Sequence, residues 1–122
     1  MRGIKKHLTN DFDLVHVFNR PRWVPFLSKD LTCAFSLSMH NEMFLQKKIS
    51  SSLANACISR VNFITTVSQF IANGIKELYP SSNRKLHPVY SAVDCNLYKP
   101  IWEVDKNSYR SILREKYGLQ KL

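Results

Sequence analysis

The 122-residue sequence predicts an α/β fold, part of a Rossmann-like parallel sheet with flanking helices, on three observations. Short, charge-poor apolar runs recur along the chain, stretches with apolar residues at helical spacing alternate with them, and turn-forming residues separate the two. Four strand–helix alternations require crossover connections, and right-handed crossovers place the strands in parallel with both of their faces covered.

Taken in order, Phe12 to Phe18 (FDLVHVF) predicts the first strand, closed by the turn signal Asn19-Arg20-Pro21. Pro21 and Pro25 bracket Arg22-Trp23-Val24, a loop entering a short helix with proline near its first turn. Leu31 to Ser38 (LTCAFSLS) predicts the second strand, and the abruptly polar Met39-His40-Asn41-Glu42 a loop at its end. From Ile49 to Arg60, the residues Ile49, Leu53, Ala56, Cys57 and Ile58 recur at helical spacing, with Ser50 to Ser52 as N-cap candidates. Val61 to Val67 (VNFITTV) is β-branched and predicts a third strand. Ser68 then caps a helix with Phe70, Ile71, Ile75 and Leu78 on one face, ending before Pro80. Leu86 to Tyr90 (LHPVY) predicts a fourth strand whose pairing Pro88 limits. The last helix runs from Ser108 to Tyr117, apolar at Tyr109, Ile112 and Leu113, and stops at Gly118.

Composition narrows the class. With 44% hydrophobic and 22% charged residues the chain is one globular domain, too short to contain a two-lobed enzyme. No apolar run approaches the ~18 to 20 residues of a membrane span, and the N-terminus has no signal-peptide core. Cys33, Cys57 and Cys95, an odd number at wide spacing, fit a reducing compartment, so the expected location is the cytoplasm. The net charge of +9 is spread over all four quarters of the chain rather than gathered in a run, which reads as a solvated basic surface with no nucleic-acid partner. His7, His16, His40 and His87 are scattered, with no paired-ligand spacing, so no metal site is expected.

Ligands of open parallel sheets bind beyond the carboxyl ends of the strands, which selects Asn19-Arg20, His40-Asn41, Ser68 and Ser91 to Asp94. The His40 imidazole suits proton transfer or a hydrogen bond to a substrate hydroxyl near neutral pH, with Asn41 and Glu42 beside it. Arg20 and Arg22 carry the fork geometry that grips phosphate or carboxylate, although most surface arginines grip nothing. Ser68 stands at a helix start, where backbone N–H groups receive either an anion or simply the serine's own cap. Gly3, Gly74 and Gly118 form no phosphate-cradling glycine loop.

The strings FDLVHVFNRPRWVP (Phe12 to Pro25), FSLSMHNEMF (Phe35 to Phe44), FITTVSQFIANGI (Phe63 to Ile75), VYSAVDCNLYKP (Val89 to Pro100) and LREKYGL (Leu113 to Leu119) occur in the order seen in family 4 glycosyltransferases, and resemble most the spore-coat SA-type subgroup. The resemblance implies a GT-B enzyme, in which two Rossmann-like domains face a cleft and a sugar passes, with retention and usually without metal, from a nucleotide sugar to an acceptor. This chain resembles only part of the N-terminal, acceptor-side domain, so residues 1–122 are expected to be a partial domain without the donor domain. By the resemblance, His40 reaches the cleft near the transferred sugar as the catalytic residue, and Asn19, Arg20 and Asn41 line the acceptor side. Ser68 sits at a helix start on the cleft, and Val93 and Asp94, with Pro100, lie near the crossover into the donor domain. Ala92 stands where a glycine is usual before Val-Asp; were that backbone left-handed, alanine would cost on the order of 1 kcal/mol.

The resemblance therefore implies transfer of a sugar to a cell-envelope, spore-coat or polysaccharide acceptor by a longer protein, with this portion inactive alone. No cofactor is expected beyond the nucleotide-sugar donor of that longer protein. The implied partners are a sugar or glycan acceptor, an anionic membrane surface at the inner face, and a second chain supplying the donor domain. Two other classes compete. Val67 to Leu78 superficially resembles the first part of a helix-turn-helix of a small basic DNA-binding protein, though a strand-like segment follows where a recognition helix belongs. Trp23, Phe26, Arg22 and Lys29 combine the basic and aromatic residues of a module that docks on anionic lipid.

Overall fold

The predicted strands form where β-branched and aromatic residues cluster, but the second and fourth are trimmed by specific competitors for their backbone, and the second runs one residue further, through Met39. The computed structural model describes residues 2–99 and 107–119. These fall into two compact units, residues 1–91 and 92–122, described separately below.

The first unit opens with a short helix α1 (Arg2–Lys5), which the apolar pattern did not announce. Strand β1 (Leu14–Phe18) leads through helix α2 (Trp23–Leu27) and a 3-10 turn (Ser28–Asp30) to β2 (Ala34–Met39). Helix α3 (Ser51–Arg60), β3 (Phe63–Thr66), helix α4 (Gln69–Leu78), a 3-10 segment (Pro80–Lys85) and β4 (Leu86–Pro88) complete it. The sheet is fully parallel in the order β1-β2-β3-β4. The segment after α4 therefore feeds a strand, and Val67 to Leu78 does not open a helix-turn-helix.

The predicted second strand starts three residues early because Leu31 to Cys33 satisfy their backbone elsewhere. Thr32 donates its N–H to Asn10 Oδ1 at 3.1 Å, and the Arg60 guanidinium donates to the carbonyls of Leu31 (2.9 Å) and Cys33 (3.0 Å). The last strand is shorter than Leu86 to Tyr90 because Pro88 has no N–H for a ladder; one bond beyond it, from Val89 N–H to Thr66 O (2.7 Å), ends the pairing.

Both long helices start as their serines predict. Ser50 accepts from Leu53 N–H at 3.4 Å and Ser68 from Ile71 N–H at 3.3 Å, each satisfying an orphan donor of the first turn. Ile49 lies ahead of its cap rather than in α3, buried against the core. On α4 the buried stripe is Ile71, Ala72 and Ile75. Phe70, expected on that face, is 68% exposed: it is one residue, and so 100° of helical arc, off the stripe.

Consecutive neighbours in one direction, joined by crossovers of one hand, put every connecting helix on the same side of a sheet. The core has that arrangement: Val24 and Leu27 of α2, Ala54, Cys57 and Ile58 of α3, and Ile71 and Ile75 of α4 pack with Val17, Phe35, Leu37, Met39 and Ile64. The register assigns the opposite face to Leu14, His16 and Phe18, Ala34, Ser36 and Ser38, Phe63 and Thr65, and His87. That face is mixed and partly open, with Leu14 and Phe18 exposed, which corrects the expectation of strands covered on both faces.

Two buried groups make predictions. Tyr79 is 95% buried, edge-on to Phe44 at 5.9 Å, and its hydroxyl has no hydrogen-bond partner among the described residues. Tyr79→Phe is therefore expected to hold stability or raise it by about 1 kcal/mol, since the desolvation cost of an unpaired hydroxyl disappears with it. A urea midpoint clearly lower than that of the parent would show that the hydroxyl is paired.

Burial pushes the Cys57 thiol up from 9.0 to about 12, against the opposing pull of the Lys85 ammonium. A thiol whose value rises on folding contributes stability present below its unfolded value and lost as pH rises toward the folded one. Between pH 9.0 and about 12 the protein should lose stability more steeply than its Cys57→Ala variant, as paired urea titrations at pH 8 and pH 10 would reveal.

In the second unit, helix α5 (Asn107–Lys116) fulfils the predicted Ser108–Tyr117 helix. Gly118, at φ 62°, donates to Glu115 O (3.1 Å) while Leu119 N–H donates to Arg114 O (2.8 Å), the paired bonds of a left-handed helix stop. Asp94 organises a turn, its carboxylate accepting from the N–H of Asn96 at 2.9 Å. Ala92 is not left-handed: among the described residues only Asn19 and Gly118 have positive φ, so the expected strain does not arise. Pro100 lies outside the described residues.

Candidate functional site

Parallel strands bring their carboxyl ends to one edge, so residues 19, 38–40, 65–67 and 89–91 are gathered by topology alone. A concavity of about 210 Å³ opens there, lined from Ser38 to His40, Thr65 to Val67 and Val89 to Ser91.

His40 stands at its margin on the end of β2. Its ring packs on Phe18 with centroids 4.3 Å apart, and its backbone N–H donates to Asn19 Oδ1 at 3.3 Å. Asn19 in turn donates its own N–H to Ser38 O at 2.7 Å, extending the ladder one residue past β1. It does so at φ 53°, in the left-handed region that asparagine tolerates and most residues do not. One residue thus turns the chain out of β1 and tethers His40. Asn19→Ala is expected to cost about 1–2 kcal/mol, from the backbone strain together with the lost hydrogen bond. Asn19→Gly should recover the backbone part only, leaving the His40 ring resonances shifted in NMR spectra of both variants.

Beneath the concavity runs a polar chain that the sequence reading missed. His16 Nδ1 is hydrogen-bonded to Ser36 Oγ at 2.7 Å, and its Nε2 to Ser38 Oγ at 2.9 Å. Ser38 Oγ is bonded onward to Thr65 Oγ1 at 2.7 Å. The network crosses β1, β2 and β3 on the face away from the core, and Ser38 and Thr65 carry it into the concavity. Part of the signal lay in period-two spacing: Ser36 and Ser38 alternate with apolar residues in β2 as His16 does in β1, whereas Thr65 joins them only through the register of β3.

The other predicted residues are placed as follows. Arg20 is exposed and lines a separate, larger pocket with Arg22 and Trp23. Asn41 is exposed outside both linings, its carbonyl accepting Met43 N–H at 2.8 Å. The Ser68 hydroxyl is engaged as the cap of α4, and its carbonyl accepts from Thr66 Oγ1 at 3.0 Å. Val93 and Asp94 belong to the second unit. Glu42, beside His40 in sequence, opens instead on a pocket with Phe70 and Leu78. No cluster of three or more metal-ligating side chains occurs among the described residues, and none of their helices is long and apolar enough to cross a membrane.

No protein-family model matches the chain. Two curated proteins of Bacillus subtilis (strain 168) are similar to it. "Spore coat protein SA" is 46% identical over 109 residues, which is 88% of this chain and 29% of that protein. "Putative glycosyltransferase YtcC" is 39% identical over 112 residues, 91% of this chain and 28% of that protein. The chain thus spans less than a third of the length of either relative, and the resemblance carried by the motif strings extends over nearly all of it.

Proposed function

We propose that this chain is the acceptor-side portion of a family 4 glycosyltransferase of GT-B architecture, in which a sugar passes from a nucleotide-sugar donor to a cell-envelope, spore-coat or polysaccharide acceptor. The observation that supports it most is the concavity at the carboxyl ends of β2, β3 and β4, with His40 held at its margin by Phe18 and Asn19. An imidazole suits hydrogen bonding to a sugar hydroxyl near neutral pH, and Tyr90 on the same lining offers the apolar ring face against which a sugar packs.

In this reading His40 contacts the transferred sugar, while Asn19, Arg20 and Asn41 contact the acceptor. Ser68 shapes the cleft from the start of α4, and Val93 and Asp94 lie toward the crossover to the donor-binding part. The diphosphate of the donor is held by residues of a longer protein or a second chain, because the glycines here form no phosphate loop. The reaction then belongs to the assembled cleft, in the cytoplasm or at the inner face of the membrane.

Amide NMR titrations test the assignment. Neutral mono- and disaccharides at millimolar concentration are expected to shift the resonances of Asn19, His40 and Tyr90, whereas the isolated chain is expected not to turn over uridine diphosphate glucose. Silence of these residues toward every saccharide would overturn the acceptor assignment. Turnover of a nucleotide sugar by the isolated chain would overturn the placing of the donor site outside it.

A further inference from the structure

Beside the candidate site, on the far side of the β1–α2 turn, lies a pocket of about 480 Å³ lined by Arg20, Pro21, Arg22, Trp23, Met43 and Lys48. Its size is within the ordinary range of small-molecule sites. Three of its six lining residues are cations and none is an acid. Like charges gathered around one concavity repel, and in most surfaces interspersed carboxylates relieve that repulsion. Here no carboxylate is paired with Arg20, Arg22 or Lys48 among the described residues, and the nearest acid along the chain, Glu42, opens on a different pocket.

One of the three cations is also held in place. The Arg22 guanidinium donates to the carbonyl of Lys48, twenty-six residues away, joining the β1–α2 turn to the 43–48 loop. The remaining wall is apolar: Pro21 is buried, and Trp23 and Met43 are half-buried and pack against the core. A concavity lined by three cations, one of them anchored, together with an indole, a thioether and a proline ring is complementary to an anion attached to an apolar body.

We propose that this pocket is an anion subsite, taking a phosphate or carboxylate group borne on a sugar, aryl or acyl body, with Arg20 and Lys48 contacting the anion and Trp23 and Met43 the body. Arg20 directly follows Asn19, the residue that tethers His40, so a ligand seated here continues into the acceptor side of the candidate site. The acceptor of the proposed transferase is accordingly an anionic one, a step that rests on the transferase reading; the anion pocket itself does not.

Phenyl phosphate is the probe, with phenol as its neutral counterpart, read by Trp23 fluorescence in a Trp102→Phe background that leaves Trp23 the only tryptophan. Phenyl phosphate is expected to give a saturable change, weakened about tenfold by Arg20→Gln and again by Lys48→Gln, and reduced by salt; phenol gives none. Both substitutions sit on exposed or half-exposed side chains, and circular dichroism checks the fold. Arg22 is left intact because its carbonyl bond links two loops.

A second arm distinguishes the source of the anion. Co-sedimentation with phosphatidylglycerol vesicles, absent with phosphatidylcholine and lost in Arg20→Gln, would support a lipid headgroup as the anion's carrier. Binding of phenyl phosphate without vesicle binding would support a soluble ester. Equal binding of phenyl phosphate and phenol, or indifference of both arms to Arg20→Gln, overturns the subsite. If the saccharide shifts at His40 persist in that case, the transferase reading stands without it; if phenyl phosphate binds but no saccharide does, the pocket stands and the acceptor assignment falls.

Discussion

Replacing Phe35 by alanine is expected to cost about 3 to 5 kcal/mol of folding stability, the range for truncating a fully buried aromatic residue. Phe35 is 0% exposed, in the second residue of β2, and both of its backbone groups are bonded to Asn62. Its carbonyl accepts Asn62 N–H at 2.7 Å and its N–H donates to Asn62 Oδ1 at 2.9 Å, so the residue also starts the pairing with β3.

The ring has a second role. The Arg60 guanidinium lies 4.5 Å from its centroid while bonded to the carbonyls of Leu31 and Cys33. Truncation therefore opens a cavity and removes the surface that holds Arg60 over the entry to β2. Domains of this size are stable by only about 5–15 kcal/mol, so the variant should be partly unfolded at room temperature or melt far below the parent. Phe35→Leu, which keeps most of the volume, should recover more than half of the loss. An alanine variant within about 1 kcal/mol of the parent in urea titration would refute this account of the core.

Lys85→Met is expected to cost about 2–3 kcal/mol, although the side chain lies only partly in the interior and forms no ion pair among the described residues. Its ammonium donates to the carbonyls of Ile58 (2.7 Å), Ser59 (3.2 Å) and Val61 (2.6 Å). These lie in the last turn of α3 and just beyond it, where carbonyls lack intrahelical partners and the helix dipole concentrates negative potential. One cation thus closes a helix end and joins it to the segment leading into β4.

Methionine keeps the length and the apolar stem but leaves three acceptors short of a donor. Lys85→Arg should restore only part of the stability, because a planar fork cannot direct its N–H groups at three converging carbonyls as a tetrahedral ammonium does. Loss of amide protection at the end of α3 in hydrogen exchange would localise the effect. A methionine variant with unchanged stability and unchanged protection would show that water serves these carbonyls equally well.

Much of the fold was legible because its signals are local. Ser50 and Ser68 announce helix starts by chemistry confined to one turn, Gly118 announces a stop by its freedom at positive φ, and Pro88 shortens the strand it sits in. The strand–helix alternation carried the parallel topology and, through it, the edge at which His40 and Asn19 meet. Local signals misled where only packing chooses among candidates. Phe70 satisfies a helical pattern yet is turned outward, and Leu31 to Cys33 read as strand although Asn10 and Arg60 take their backbone groups.

By itself the sequence determined the element order, the helix caps and the parallel direction of the strands, since each depends on residues within a turn or on a handedness that all L-chains share. Tertiary structure alone decided what those elements bring together. His16 finds Ser36 and Ser38 across twenty or more residues, Lys85 finds the end of α3, and Arg20, Arg22 and Lys48 surround one pocket. Those contacts depend on register and on which face each helix covers. Both are settled by burying the apolar surface of the whole unit at once, and no window of the sequence contains that sum.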